Sequence, residues 1–237
     1  MNEILPILAV ETSQNSCSSC IYCSEEKIFE QSLDLKYSHA EKLFEVIDAA
    51  VLSAGIEISG IRCIAVSAGP GSFTGLRIGM SAAKSIAYAL SLPLIPVPTF
   101  EAFALQIIET IPADTEFIIA NNVNSEEFFY AKLKKSKDSN SYFFLEELQI
   151  LNRNSLAERV NGSFLFGNAL LNLPLKDKSL PRDKIFAAEK GNISAPTAGF
   201  TAKWADLFGR KLVTYDYEFL EPNYLKNFII KNKGKKI

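Results

Sequence analysis

Apolar and polar residues alternate in three short runs near the start of the chain, Ile7–Glu11, Cys17–Cys23 and Ile28–Asp34, each separated from the next by a polar turn. That spacing predicts a meander of three strands. The period then changes. Ser38-x-x-Glu41 has the form of a capping box, and Leu43, Ile47, Ala50 and Ala54 recur at helical spacing up to Gly55, so a helix is predicted to end at Ala54. Ile61–Ser67 is nearly continuously apolar, the pattern of a strand buried on both faces. The loop Ala68–Thr74 leads into a predicted helix over Gly75–Leu90, which Pro93 ends. Leu94–Val97 then reads as a short buried strand, and Phe100–Glu109 as a helix behind Pro98 and Thr99.

The rest of the chain repeats this order less regularly. Phe117–Ala120 reads as a strand. In Phe128–Lys134 the alternation points Phe129, Ala131 and Leu133 inward and Tyr130, Lys132 and Lys134 outward. Ser136–Ser141 is a polar turn, and Tyr142–Leu151 returns as the hairpin partner. A short helix over Leu156–Val160, a strand over Phe164–Phe166, loop over Leu173–Lys190 and a helix over Thr197–Phe208 with the one tryptophan, Trp204, complete the pattern. The basic end Lys231–Lys236 is predicted to fray. Three antiparallel strands, a helix, a parallel strand and a helix, followed by a similar second set, predict an α/β protein of two related lobes, with mixed sheets flanked by helices.

Composition narrows the function classes. Lysine and arginine number 25 against 27 acids in 237 residues, a net charge of −2, so the basic excess of a duplex-coating protein is missing, though a local basic groove is not excluded. No run reaches the roughly 18 apolar residues needed to span a bilayer, and Met1–Leu5 lacks the layout of a signal peptide. The expectation is a cytoplasmic globular protein without membrane contact. Cys17, Cys20 and Cys23 have the C-x-x-C-x-x-C spacing of some iron–sulfur proteins, but on a strand Cys20 faces away from the other two. These three, with Cys63, are expected to be small apolar fillers and not metal ligands.

The most distinctive string is Gly69-Pro70-Gly71-Ser72-Phe73-Thr74-Gly75-Leu76-Arg77-Ile78-Gly79. It has neither the Gly-Lys-Ser/Thr of a Walker loop nor the spacing of the dinucleotide fingerprint. Gly69, Gly71, Ser72 and Thr74 at a strand-to-helix turn are compatible with a tight turn and with an anion cradle of backbone N–H groups. The helix behind the loop is apolar on most sides. Gly75, Gly79, Ala82, Ile86 and Ala89 form a small-residue stripe beside Leu76, Met80, Ala83, Ala87 and Leu90, and only Arg77, Ser81, Lys84 and Tyr88 make a polar edge. Such a helix needs cover on more than one side, either from its own sheet or from a second subunit.

Leu8-Ala9-Val10-Glu11-Thr12-Ser13, the Gly69–Gly79 string and Glu221-Pro222-Asn223-Tyr224-Leu225 together resemble the bacterial TsaB family, also called YeaZ. The resemblance is strong over roughly the first 105 residues and thin beyond them, apart from the last motif. It implies a two-lobed actin/Hsp70-like (ASKHA) fold, with residues 1–104 forming the dimerising lobe and 105–237 a divergent second lobe with a C-terminal tail. It also implies the non-catalytic subunit of the machinery that makes N6-threonylcarbamoyladenosine beside the anticodon of tRNAs reading A-starting codons. The partners implied are a TsaD-like catalytic subunit or a second copy of the chain, a TsaE-like ATPase, and tRNA reached through the complex. Gly75, Leu76, Arg77, Gly79, Met80, Ala82, Ala83, Lys84 and Ile86 would then form the partner surface. Gly69, Gly71, Ser72 and Thr74 would be a secondary phosphate or nucleotide loop. No cofactor is expected on the isolated chain, and ATP or ADP only in the complex.

The sequence also departs from its relatives. TsaD-like enzymes hold a metal through two histidines four residues apart, and Thr99 and Phe103 stand in those places. Neither supplies an imidazole, so no metal site and no catalytic residue are expected. The one histidine, His39, opens a helix and is expected at a surface or lobe edge. Asn122-Val123-Asn124 stands where family members often carry an acid and an arginine. The alternative is a stand-alone actin-fold ATPase or small-molecule kinase. Glu11 favours it as a carboxylate for positioning metal-bound water or phosphate, and the lack of glycine in Glu11-Thr12-Ser13-Gln14-Asn15-Ser16 opposes it. A third reading has tRNA bound directly by Lys226, Lys231, Lys233, Lys235 and Lys236.

Overall fold

The computed structural model describes residues 4–34, 39–137, 141–160, 163–171 and 193–225. Ser38 of the expected capping box, the 173–190 loop and the basic end with Lys226 lie outside the described residues.

Strands β1 (Ile7–Glu11), β2 (Ser16–Ser24) and β3 (Lys27–Asp34) form the predicted meander. Helix α1 (His39–Ala54) follows, then β4 (Cys63–Gly69), α2 (Phe73–Leu90), β5 (Leu94–Pro98) and α3 (Thr99–Ile108). The first sheet has the order β3-β2-β1-β4-β5, with β1 parallel to β4 and β4 parallel to β5. The second sheet is built from β6 (Glu116–Asn122), β7 (Glu127–Lys135), β8 (Tyr142–Asn152) and β9 (Phe164–Phe166), with α4 (Arg153–Val160) before the last strand. Its order is β8-β7-β6-β9, with β6 parallel to β9. The two sheets share one topology, three antiparallel strands and a crossover helix back to a parallel fourth. Among the described residues the second has no counterpart of β5.

Helical period places α1 because Leu43, Ile47 and Ala50 are all buried, and Gly55 at φ +63 stops it in the left-handed conformation glycine tolerates. The central strands are buried on both faces. Leu8 and Val10 of β1, with Ile64 and Val66 of β4, pack under α1 and α2. Ile7, Ala9, Cys63 and Ala65 pack on the opposite side against α3 and a further helix, α5 (Ala198–Leu207). Cys17 and Cys23 lie with the first group and Cys20 with the second, so the three thiols do not converge. Burial pushes the Cys63 thiol up to about 12, which keeps it protonated and inert.

Two expectations change. Tyr130 points into the core, not outward: it is fully buried, with its hydroxyl donating to Glu146. Simple alternation fails there because β7 is covered by α3 on one face and α4 on the other. The expected lobe boundary at residue 104 falls inside α3, and α5 packs on β1 and β2 of the first sheet. The first lobe is therefore completed by residues near the end of the chain.

Candidate functional site

The Gly69–Gly79 string forms the turn from β4 into α2, and its glycines lie where another part of the backbone passes. Ser72 caps α2, its Oγ accepting from Gly75 N at 3.2 Å. Ser72 N donates to Ser13 O at 2.7 Å, and Thr12 Oγ1 donates to Gly75 O at 2.8 Å. The first turns of α2 thus rest on the β1–β2 turn. A Cβ at Gly71 would overlap Ser13 O, one at Gly75 would overlap Thr12 O, and one at Gly79 would overlap Thr12 Oγ1, each well inside 3.0 Å. At Gly69, which adopts φ +100, a Cβ would overlap Asn223 O.

This geometry corrects the expected partner surface. Gly75, Leu76, Gly79 and Ala83 are buried against the chain itself and cannot meet a partner, whereas Met80 and Ala82 are buried but also line the grooves beside the outer flank. The small-residue stripe serves that close approach. Arg77 is exposed, and Lys84 and Ile86 are half-buried, so these three lie on the outer flank with Ser81 and Tyr88. The flank is bounded on one side by a groove with Leu43, Phe44, Ile78 and Ala82, where α1 lies beside α2. Phe44 in this groove is 53% exposed and Tyr88, beside Lys84 further along α2, is 76% exposed, apolar surface of the kind that marks contact sites.

Of the four residues of the expected phosphate loop, Gly69 and Ser72 have their N–H groups turned inward. Gly69 N donates to Thr99 Oγ1 at 3.0 Å, Ser72 N to Ser13 O, and Gly75 N to its cap. These three N–H groups are spent inside the chain and do not face a ligand. Thr99 is thereby committed to holding the loop, and Phe103 sits fully buried in the core.

The second side of α2 is covered by residues 213–225, which period alone does not reveal. Thr214 pairs with Leu94, the Tyr217 hydroxyl donates to Leu92 O, and Asn223 N donates to Ala68 O at 2.7 Å. Arg77 lies over the Phe73 ring at 3.9 Å, and its Nε donates to the Tyr224 hydroxyl at 2.9 Å. The Glu221–Leu225 motif therefore touches the glycine loop in space, a link that only its quoted resemblance hinted at. Tyr224→Ala removes the hydrogen bond from Arg77 together with the ring's contacts to Phe73 and the Arg77 guanidinium at a partly exposed site, and is expected to cost about 1 kcal/mol or more. A urea-denaturation midpoint checks it, and a midpoint equal to that of the unmodified chain counts against this anchoring.

Glu11 ends β1 beneath α5 and is 1% exposed. Oε1 accepts from Ser13 N at 2.6 Å, and Oε2 accepts from Thr201 Oγ1 at 3.3 Å. Burial pushes its carboxyl up to about 7, against the opposing pull of its hydrogen bonds with Ser13, Ser67 and Thr201. The carboxylate that the enzyme reading needs is roofed by the chain's own helix. Asn124, in the expected charge position, closes the β6–β7 turn by accepting from Glu126 N and Glu127 N.

Residues 34–118 match the family model described as tRNA N6-adenosine threonylcarbamoyltransferase, TsaD. This stretch runs from the end of β3 into β6. The chain is 28% identical over 133 residues to the tRNA threonylcarbamoyladenosine biosynthesis protein TsaB of Haemophilus influenzae, covering 56% of each chain. It is 33% identical over 98 residues to the protein of the same name in Buchnera aphidicola subsp. Schizaphis graminum, covering 41% of this chain and 46% of that one. It spans about half the length of these curated relatives. The solved structure of YeaZ from Pseudomonas aeruginosa superposes with a TM-score of 0.69 at 21% identity, over 92% of this chain and 99% of that one. The fold is the expected two-lobed actin/Hsp70-like one, with two mixed sheets flanked by helices. With that architecture and the glycine string at the turn into α2, the chain is similar to the curated TsaB proteins over about half their length and shares the fold of YeaZ.

Proposed function

We propose that this chain is a non-catalytic docking subunit in the N6-threonylcarbamoylation of tRNA adenosine, working in the cytoplasm beside a TsaD-like catalytic subunit and a TsaE-like ATPase. The observation that carries this reading is the outer flank of α2. Arg77, Ser81 and Lys84 line it between the α1 groove and a second groove bounded by Leu220, Glu221 and Pro222. Exposed aromatic and aliphatic side chains beside an arginine are the composition of an interface centre. The names of the TsaB relatives support the pathway, and the commitment of Thr99 and Phe103 to the interior supports the absence of a metal-based reaction. The occupant is a TsaD-like subunit or a second copy, and tRNA is met through the assembly.

Ser81→Arg combined with Lys84→Glu tests this. Ser81 is exposed and lines both grooves, so the pair alters the flank and leaves the core intact. Association with the TsaD-like subunit, measured by titration calorimetry, is expected to weaken roughly 30-fold or more. In a strain depleted of its own subunit, the variant is expected to restore less threonylcarbamoyladenosine in tRNA hydrolysates. Unchanged affinity together with full restoration would place the contact elsewhere. Weaker self-association with unchanged TsaD binding would assign the flank to the homodimer.

The isolated chain is also proposed to bind no nucleotide, ATP or ADP entering only with the complex. The spent N–H groups of the glycine loop and the roofed Glu11 support this. Micromolar binding of ATP and magnesium to the chain alone, with turnover, would favour the kinase or ATPase reading.

A further inference from the structure

The repeated topology gives β9 the place in the second sheet that β4 holds in the first, so the Gly167-Asn168 turn after β9 corresponds to the glycine loop after β4. The two turns behave differently. The first stays within its own lobe, on Ser13. The second reaches out of its lobe through one side chain. Gly167 sits at φ +108, where a Cβ would overlap Ala120 O, and this conformation aims Asn168 at the lobe junction. Asn168 N donates to Asn121 Oδ1 at 2.9 Å. Asn168 Oδ1 accepts from Asn122 N at 2.7 Å, and Asn122 Nδ2 donates to Asn168 O at 2.9 Å. Three of its four bonding groups thus fix Asn168 to β6. Its remaining group, Nδ2, donates across the junction to Gln14 Oε1 at 2.7 Å, on the β1–β2 turn of the first lobe.

We propose that Asn168 is a fastener that holds the two lobes in one relative orientation through Gln14. Around it, Gln14, Asn121 and Asn122 each use one end of the amide on Asn168. The other ends, Gln14 Nε2, Asn121 Nδ2 and Asn122 Oδ1, are buried without a partner among the described residues, as is Ser13 Oγ. Buried polar ends without partners oppose stability, so this cluster is poorly explained as glue. What it supplies is direction. Each amide has one orientation in which its bond to Asn168 forms, and sliding or rotating the lobes at this end of the junction breaks the Gln14 bond. Elsewhere the second sheet meets α3 and α5 through packing and through the Tyr142 hydroxyl, which donates to Glu101 O at 3.0 Å and accepts from Trp204 Nε1 at 3.2 Å, so the Gln14 bond is what fixes the junction at the β1–β2 turn. A fixed orientation also sets the β1–β2 turn, on which the glycine loop and α2 rest.

The test uses the full chain with Gln14→Met, Asn168→Ala and the two combined. Gln14→Met keeps the volume and removes only the acceptor, so it remains informative should Asn168→Ala fail to fold. Spin labels at Leu52→Cys on α1 and Glu158→Cys on α4, both exposed sites, report the interlobe distance. Gln14→Met is expected to broaden that distance distribution and to speed amide exchange at residues 12–16 roughly tenfold, the size of one hydrogen bond. Combining it with Asn168→Ala should speed exchange in that segment no further than Asn168→Ala alone, because both break the same bond. A distribution as narrow as that of the unmodified chain in Gln14→Met overturns the proposal. So does exchange in the combined variant that multiplies the two single effects.

Discussion

Gly75→Ala is expected to destabilise the chain by about 3 kcal/mol or more, although it adds a single methyl group to a helix. In an ordinary helix the same change favours folding, since alanine loses less backbone freedom than glycine. Here the added carbon would overlap the Thr12 carbonyl oxygen, and that atom cannot move aside. It belongs to the turn that also holds Ser13 O against Ser72 N. Relief requires α2 to lift from the sheet, which breaks the Thr12–Gly75 bond and opens the packing of Leu76, Met80 and Ala83. Gly79→Ala meets the Thr12 hydroxyl and is expected to cost nearly as much. Gly60→Ala is the control: a Cβ there has nothing within 4 Å, and its effect should stay within about 0.5 kcal/mol. Urea-denaturation midpoints of the three variants check the set, and a Gly75→Ala midpoint equal to that of Gly60→Ala would refute the close approach.

The same residues mark how far sequence reasoning reaches. Leu43, Ile47 and Ala50, or the alternation through Ile7–Glu11, report their elements because each buries a stripe of its own, so local period is enough. The paired order of strands and helices follows from the same signal, and with it the two-lobed architecture. What local period cannot carry is a contact between distant segments. Gly75 and Gly79 of the small-residue stripe are equally suited to a second subunit and to Thr12, and only the position of the β1–β2 turn decides for Thr12. Tyr130 looks like an outward position until α4 is seen to cover that face. The return of α5 and of residues 213–225 onto the first sheet depends on bonds such as Tyr217 to Leu92 and Asn223 to Ala68, each spanning more than a hundred residues. Asn168 is the extreme case. Nothing in its neighbours announces Gln14 as a partner, and the only local hint is a glycine before it.

The second large effect concerns pH and Glu11. Its carboxyl titrates near pH 4.5 when exposed and is raised to about 7 by burial in the folded chain, so between these values the folded state binds the extra proton. Stability is therefore greatest below about pH 4.5 as far as this group is concerned, falls as pH rises toward 7, and is level above it. The full fall is about 3 kcal/mol, from roughly 1.4 kcal/mol per pH unit across the interval. The geometry suits the protonated form. Thr201 Oγ1 also lies 3.2 Å from Thr197 O, so when its hydroxyl donates there its oxygen is left to accept from a protonated Glu11. Glu11→Gln reproduces that form permanently: the amide oxygen still accepts from Ser13 N, and the NH2 replaces the acid proton opposite Thr201. Urea unfolding of both proteins at pH 5 and pH 8 isolates the group, because every other titrating side chain is shared. The variant is expected to gain about 2 to 3 kcal/mol on the unmodified chain between the two pH values. A difference that does not change with pH would mean that Glu11 titrates as an ordinary exposed carboxyl. The burial beneath α5 would then not persist in solution, and the reading of Glu11 as a structural acid closed to metal and phosphate would fall with it.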